Sequence, residues 1–192
     1  LKPAMLQLVT DLSGKTSLAD LYELIGGLDL VLTPDTGAMH IAAHLGVPVM
    51  ATFLSSAWAY ETGPYGVGHV VWQATDGAAF NCAPCLETAP CPHKVACLSP
   101  FASEDWLAQL GGRHSDAWPG NLLGLVSRLD DLGVTYEAVD GTDANSRERA
   151  DKRELVREYL GIPRFDPYAP PPAARAVDEL LQERDWILPD YY

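Results

Sequence analysis

The sequence predicts an α/β fold, a Rossmann-like parallel sheet with a mainly helical C-terminal appendage. Residues 18–28 carry leucine and isoleucine at three- and four-residue spacing, which indicates an amphipathic helix. Two short apolar runs follow, at 28–34 and 47–53, and continuous runs of this length are typical of strands buried on both faces. Helix, strand, helix and strand at this spacing form consecutive βα units, which predict a parallel sheet with right-handed crossovers.

Small and polar residues mark the boundaries of these elements. Ser17 is the candidate N-cap of the first helix, and the glycines at 26–27 lie near its end. A second, short helix is predicted over 39–46, with a glycine as its last residue. Residues 54–68 have the composition of a loop, and 69–74 can form one more strand.

The character of the chain changes after residue 100. We predict helices over 103–112, 121–133 and 146–161, a short strand over 134–139, a proline-rich linker over 162–172 and a final amphipathic helix over 174–188. The expected organisation is therefore a main α/β domain at 1–100 and a helical appendage at 101–192.

The chain is acidic along its whole length. Its formal net charge is −13 at pH 7, and both halves contain more Asp and Glu than Lys and Arg. Nucleic acids and anionic membranes attract clustered Lys and Arg, so neither is expected as the main partner. No transmembrane segment or signal peptide is visible, which predicts a soluble protein. The first residues read as the continuation of an earlier element, so we expect a later part of a longer protein.

The turn between the first strand and the second helix is the candidate binding site. In open α/β sheets, ligands bind at the carboxyl ends of the strands, where helix N-termini present unpaired backbone N–H groups. Gly37 lets the backbone approach a phosphate, and the N–H groups of Gly37, Ala38 and Met39 are the expected donors.

Three side chains add to this turn. Thr36 supplies a hydroxyl, and His40 on the first helical turn can donate to a phosphate or sugar oxygen. Asp35 would repel a phosphate, so we expect it to accept from sugar hydroxyls or to hold the loop through backbone N–H groups.

Two other interpretations of the same residues stay open. In the first, Asp35 or Thr36 simply caps the helix in an ordinary turn. In the second, His40 and His44 are metal ligands on one helix face, although the glutamate of the zinc protease motif is missing between them.

All four cysteines lie within sixteen residues, at Cys82, Cys85, Cys91 and Cys97. Four thiolates so close together can form a tetrahedral zinc site, with His93 as a spare ligand, whereas the alternatives are disulfides or a group of buried thiols. A structural zinc is therefore a candidate, with no catalytic task assigned to it.

The ordered motifs together resemble a known family. "GKTSLADLYELIGGLDLVLTPDTGAMHIAAHLGVPVMATF", followed by "TGPYG" and the cysteine run, closely resembles the C-terminal domain of glycosyltransferase family 9, the ADP-heptose:lipopolysaccharide heptosyltransferases. The likeness covers roughly residues 8–100. It implies the C-terminal, donor-binding half of a GT-B fold, with an acceptor-binding domain N-terminal to it.

The resemblance also implies roles for individual residues. Asp35, Thr36, Gly37 and His40 correspond to the loop that binds the donor's diphosphate and sugar, and the segment Lys15, Thr16 and Ser17 corresponds to the one beside the adenine base. The implied reaction is a metal-independent, inverting transfer of a sugar such as heptose to a lipopolysaccharide-core or related glycan acceptor. The implied location is cytoplasmic or peripheral to the inner membrane.

Part of the family pattern is missing from this sequence. The catalytic base is expected in the N-terminal domain, so no catalytic residue is assigned here. Where relatives have a tight glycine turn after the second strand, this chain has Leu54, Ser55 and Ser56. The rival hypotheses are a non-catalytic nucleotide-sugar-binding module and a zinc-stabilised interaction module.

Overall fold

A computed structural model describes residues 8–75, 85, 90–111 and 120–162 of the 192-residue chain. In chain order the elements are α1 (Leu18–Gly26), β1 (Val31–Pro34), α2 (Gly37–His44), β2 (Val49–Phe53), α3 (Ala59–Thr62), β3 (Val70–Ala74), a 3₁₀ helix (Ala96–Ala102), α4 (Glu104–Leu110), β4 (Leu122–Asp130), β5 (Gly133–Asp140) and α5 (Ser146–Tyr159). The five strands form one sheet in the order β1-β2-β3-β4-β5.

The first three strands confirm the predicted parallel arrangement. β1 pairs with β2, and β2 with β3, both in parallel, and the register places Val31 opposite Val49 and Met50 opposite Val70. Helices lie between these strands in the chain, as βα units require. The Rossmann-like α/β class predicted from the sequence is therefore confirmed.

The first helix begins where the sequence predicted. Ser17 is its N-cap: the Ser17 hydroxyl accepts from the Asp20 N–H at 3.2 Å, and the Asp20 carboxylate accepts from the Ser17 N–H at 2.9 Å. This reciprocal capping box satisfies two of the N–H groups that a helix start leaves unpaired. Hydrogen bonds from Ser17 also lower the pKa of the Asp20 carboxyl.

Side chains from the two faces of the sheet form two apolar clusters. The larger one joins Val31, Ala51, Phe53 and Val71 of the strands to α1 and α2, where Met39 is fully buried. The smaller one, on the alternate strand positions, is built from Trp72, Trp106, Leu122 and partly buried neighbours, and its two indole rings meet edge to face at 5.6 Å between centroids.

The predicted helix over 121–133 is wrong, because these residues form the whole of β4, the turn after it and the first residue of β5. β4 pairs antiparallel with β3, with Leu125 opposite Val71 and Leu123 opposite Gln73. Both faces of Leu122–Leu125 are buried, so the apolar run that suggested a helix fits a central strand equally well. Length alone did not separate the two interpretations.

The described chain divides into two compact units. The first holds the described residues up to Leu129 together with Val134–Gly141, so the sheet extends past residue 100, which the composition did not indicate. The second holds Asp130–Gly133 and the residues from Thr142 onward.

Ion pairs join α5 to the turn at 130–133 within the second unit. The predicted charged helix is confirmed as α5, whose Arg157 is buried and pairs with Asp131 and Glu154. Hydrogen bonds from Arg157 lower the pKa of the Asp131 carboxyl. Most of the predicted proline-rich linker and the whole final helix lie outside the described residues.

None of the helices within the described ranges is long and apolar enough to cross a membrane.

Candidate functional site

The candidate turn lies at the carboxyl edge of the parallel strands. β1 ends at Pro34, and α2 begins three residues later at Gly37. α1 runs toward the start of β1, so its N-cap Ser17 belongs to the same edge of the sheet as the N-terminus of α2. The fold thus brings both predicted binding segments, 15–17 and 35–40, to one edge.

Thr36 occupies the N-cap position of α2 without acting as a side-chain cap. Its backbone is extended, but no side-chain capping hydrogen bond forms. The Thr36 hydroxyl instead lies 3.0 Å from the Thr33 hydroxyl of β1. The interpretation of this turn as an ordinary side-chain cap is therefore wrong for Thr36.

Backbone donors are exposed at the start of α2. Within the described residues, the N–H groups of Gly37 and Ala38 have no hydrogen-bond partner, whereas the Met39 N–H donates to the Thr36 carbonyl at 3.0 Å. The expectation that Met39 offers a free donor is therefore wrong, because the first helical turn uses that N–H itself. Two donors remain, and both lie at the positive end of the helix dipole.

Gly37 faces open space. Apart from its chain neighbours and the backbone of its own helix, no described residue has a heavy atom within 4 Å of a Cβ built on this glycine. The fold itself does not require a glycine there, so the missing side chain leaves room beside the two free N–H groups. A phosphate is the kind of group that such a helix start can accept.

Asp35 is held by a hydroxyl from a different element. Thr62, the last residue of α3, donates its hydroxyl to Asp35 Oδ2 at 3.0 Å, across 27 positions of the chain. The sequence predicted that Asp35 would bind backbone N–H groups or a ligand, and it did not indicate Thr62. This contact brings the segment after β2 against the turn after β1.

The segment at 15–17 is partly committed to local structure. Lys15 is exposed and donates from Nζ to the Asp11 carbonyl at 2.7 Å, while Ser17 is used by the capping box of α1. Thr16, between them, is half-buried. The role of these three residues beside an adenine base stays a prediction.

His40 and His44 are both exposed on α2. Across the residues with described positions, no group of three or more His, Cys, Asp and Glu side chains could hold a metal ion. That finding does not favour the interpretation of the two histidines as metal ligands, and it leaves His40 available at the open end of the helix.

The "TGPYG" segment, residues 62–66, is fixed by a hydrogen bond and by close packing. The Tyr136 hydroxyl of β5 donates to the carbonyl of the buried Pro64 at 2.9 Å. A Cβ on Gly63 would collide with that same hydroxyl and with the Ala59 carbonyl. Burial raises the pKa of Tyr136, which keeps its phenol protonated and able to donate. Only glycine fits between α3 and β5 at position 63.

The Gln73 side chain holds the loop between β2 and α3 through hydrogen bonds. It is buried in β3; its Oε1 accepts from the Ala59 N–H at 2.9 Å, and its Nε2 lies 3.1 Å from the Leu54 carbonyl and 3.2 Å from the Ala57 carbonyl. These contacts fix the 54–59 loop that replaces the expected glycine turn. A polar residue inside an apolar strand was the available sequence signal.

The described cysteines, Cys85, Cys91 and Cys97, are not joined in disulfides. Cys91 Sγ accepts the Val95 N–H at 3.3 Å, and the Cys85 N–H donates to the Ser55 carbonyl at 2.6 Å, which connects the cysteine run to the loop after β2. Cys82 lies outside the described residues, so the four-thiolate zinc site stays a prediction.

Comparison with known proteins relates the first half of the chain to one family. The family model described as glycosyltransferase family 9 (heptosyltransferase) matches residues 1–94. A lipopolysaccharide core heptosyltransferase, OpsX of Haemophilus influenzae, is 48% identical over 44 residues, which are 23% of this chain and 13% of that protein. No solved structure matches the chain. The matched residues 1–94 include β1, α2 and the candidate turn, and this part of the chain is similar to glycosyltransferase family 9.

Proposed function

We propose that this chain supplies the donor-binding part of a glycosyltransferase and binds a nucleotide-diphosphate sugar of the ADP-heptose type. The observation that carries the proposal is the start of α2, where two free N–H groups adjoin the open space at Gly37. Asp35 and Thr36 precede them directly, and His40 follows on the first turn of the helix.

The negative charge of the chain means that a bound anion must be held by local groups. With a formal net charge of −13, the protein does not attract phosphates by its overall field. A diphosphate would have to be held locally, by backbone N–H groups and the helix dipole. Asp35, which a diphosphate would repel, is then suited to the hydroxyls of the sugar.

The proposed reaction is an inverting transfer to a lipopolysaccharide-core or related glycan acceptor. As the glycosidic bond breaks, negative charge grows on the leaving diphosphate, and the Gly37 and Ala38 N–H groups would stabilise it without a bound cation. The base that activates the acceptor, and the acceptor site, are assigned to an N-terminal domain. We place the reaction on the cytoplasmic side of the membrane.

Calorimetric titration of the chain with ADP, ADP-heptose, UDP-glucose and GDP-mannose tests the donor site. We expect the two adenine ligands to bind selectively, and His40→Ala to weaken that binding by about tenfold, the loss of one charge-assisted hydrogen bond. His44→Ala is the matched control, since it removes an exposed histidine one turn further along the same helix. Equal affinity for all four ligands, or none, would contradict the proposal.

Two further measurements, a sugar-transfer assay and a partner-binding assay with EDTA, separate the rival functions. A non-catalytic nucleotide-sugar-binding module would bind the donor but fail to transfer sugar even when the acceptor-binding domain is supplied. A zinc-stabilised interaction module would lose partner binding on EDTA treatment and would be indifferent to Asp35→Ala. We expect donor affinity to be unchanged by EDTA.

A further inference from the structure

Asp35 uses only one of its carboxylate oxygens within the described residues. Oδ2 accepts from the Thr62 hydroxyl, and Oδ1 has no partner there. Asp35 is half-buried, so its second oxygen is not shut away in the core. A carboxylate oxygen can only accept, which makes Oδ1 suited to a hydroxyl or N–H donor and unsuited to a phosphate.

Thr62 is itself fixed by its surroundings. It ends α3, where the Thr62 N–H donates to the Trp58 carbonyl at 3.1 Å. The Gln73 side chain holds the start of this helix through the Ala59 N–H. The two contacts leave the backbone at Thr62 little freedom relative to the sheet.

The residue after Thr62 is constrained from the other side. Gly63 fits against the Tyr136 hydroxyl, and that hydroxyl binds the Pro64 carbonyl. α3 is therefore fastened at its beginning by β3 and just past its end by β5. Such support from packed strands is what holds a side chain in a single geometry.

We propose that Thr62 is a positioning residue for sugar recognition: it holds Asp35 Oδ2 so that Oδ1 accepts a hydrogen bond from a hydroxyl of the donor's sugar, with Gln73 fixing the segment that carries Thr62. This inference rests on the proposed function and specifies which part of the donor Asp35 recognises. Without the Thr62 hydrogen bond, the Asp35 side chain would lose conformational entropy each time the sugar binds. Because Thr62 already holds Asp35 in one geometry, less entropy is lost on binding.

The proposal predicts a difference between two ligands. ADP contains the base and the diphosphate but no transferred sugar, so its affinity does not depend on Asp35 Oδ1. In calorimetric titrations of the chain, Thr62→Val should weaken ADP-heptose binding by about three- to tenfold and change ADP binding by less than about twofold. Thr62→Ser keeps the hydroxyl and should restore ADP-heptose affinity.

Controls separate positioning from folding. Thr62 is exposed, and Thr135→Val makes the same chemical change on β5, at the opposite edge of the sheet from β1. Thr135→Val should bind both ligands like the unmodified chain.

Each remaining outcome overturns the proposal in a recognisable way. Unchanged ADP-heptose affinity in Thr62→Val would show that Asp35 needs no such support, while the proposed function stands. An equal loss for ADP and ADP-heptose would assign Thr62 to the diphosphate or to the fold. Absence of binding by the unmodified chain would overturn both this inference and the proposed function.

Discussion

The Tyr136 hydroxyl donates to the carbonyl of Pro64, and this 2.9 Å hydrogen bond joins residues 72 positions apart. Both partners are buried, and the Tyr136 ring also meets Tyr60 edge to face, with 5.9 Å between the centroids. β5 therefore does more than extend the sheet. It fixes the corner that follows α3, next to Thr62 and its contact with Asp35.

Tyr136→Phe should destabilise the chain by about 1–3 kcal/mol, because the buried Pro64 carbonyl would lose its partner while the ring packing remains. The measurement is the free energy of unfolding from urea titration. Tyr159→Phe is the matched control, since Tyr159 is exposed. Equal stability of the two variants would contradict the structural role of the Tyr136 hydroxyl.

Gly63→Ala should be about as harmful as Tyr136→Phe or worse. The added Cβ would collide with the Tyr136 hydroxyl and with the backbone carbonyl of Ala59, and the carbonyl cannot move without disturbing α3. We expect a loss of about 1–3 kcal/mol from this overpacking, measured by the same urea titration. In Gly120→Ala the new methyl group meets no atom within 4 Å in the described part of the chain beyond its neighbours in sequence, so that variant should retain its stability.

The pH dependence of stability should report on His69. Burial lowers the pKa of this imidazole below its ordinary value of 6.5, partly offset by a hydrogen bond with the Tyr65 backbone. The unfolded chain therefore takes up a proton as the pH falls below about 6.5, while the folded chain resists it. Stability contributed by neutral His69 is present above that pH and is lost as the pH falls toward the lowered pKa.

Comparing variants isolates this contribution. The free energy of unfolding, measured between about pH 7.5 and 5, should fall less steeply in His69→Gln than in the unmodified chain. His44→Gln removes an exposed histidine and should keep the original slope. An unchanged slope in His69→Gln would mean that the acid sensitivity arises elsewhere.

Local patterns predicted the part of the fold that local contacts determine. The N-cap at Ser17, the strand ended by Pro34 and the short helix after it, predicted over 39–46 and found at Gly37–His44, are encoded within a few residues of each other. Periodicity failed at Leu122–Asp130, because a run of apolar residues buried on both faces has no period that separates strand from helix. Its place in the sheet depends on pairing with β3.

The candidate site was predicted only where its residues are adjacent in sequence. The turn at 35–40 was found because a strand, a glycine and a helix follow one another there. Thr62, Gln73 and Tyr136 were missed, since their roles depend on contacts across 14 to 72 positions. Met39 was misjudged in detail, because pattern alone does not tell whether the third N–H of a helix is already bonded within the first turn.

Gly37→Ala offers the clearest separation of binding from stability. A Cβ at this position meets no atom of the described residues outside its own helix and turn, so the free energy of unfolding should change by less than about 1 kcal/mol, the difference in helix propensity between glycine and alanine. The same methyl group would occupy the space beside the free N–H groups, and ADP affinity should fall by about tenfold or more. Gly63→Ala provides the opposite case, a glycine that the fold itself requires. Calorimetry with ADP and urea titration on both variants would test the assignment, and an ADP affinity that survives Gly37→Ala would mean that the diphosphate does not approach the start of α2.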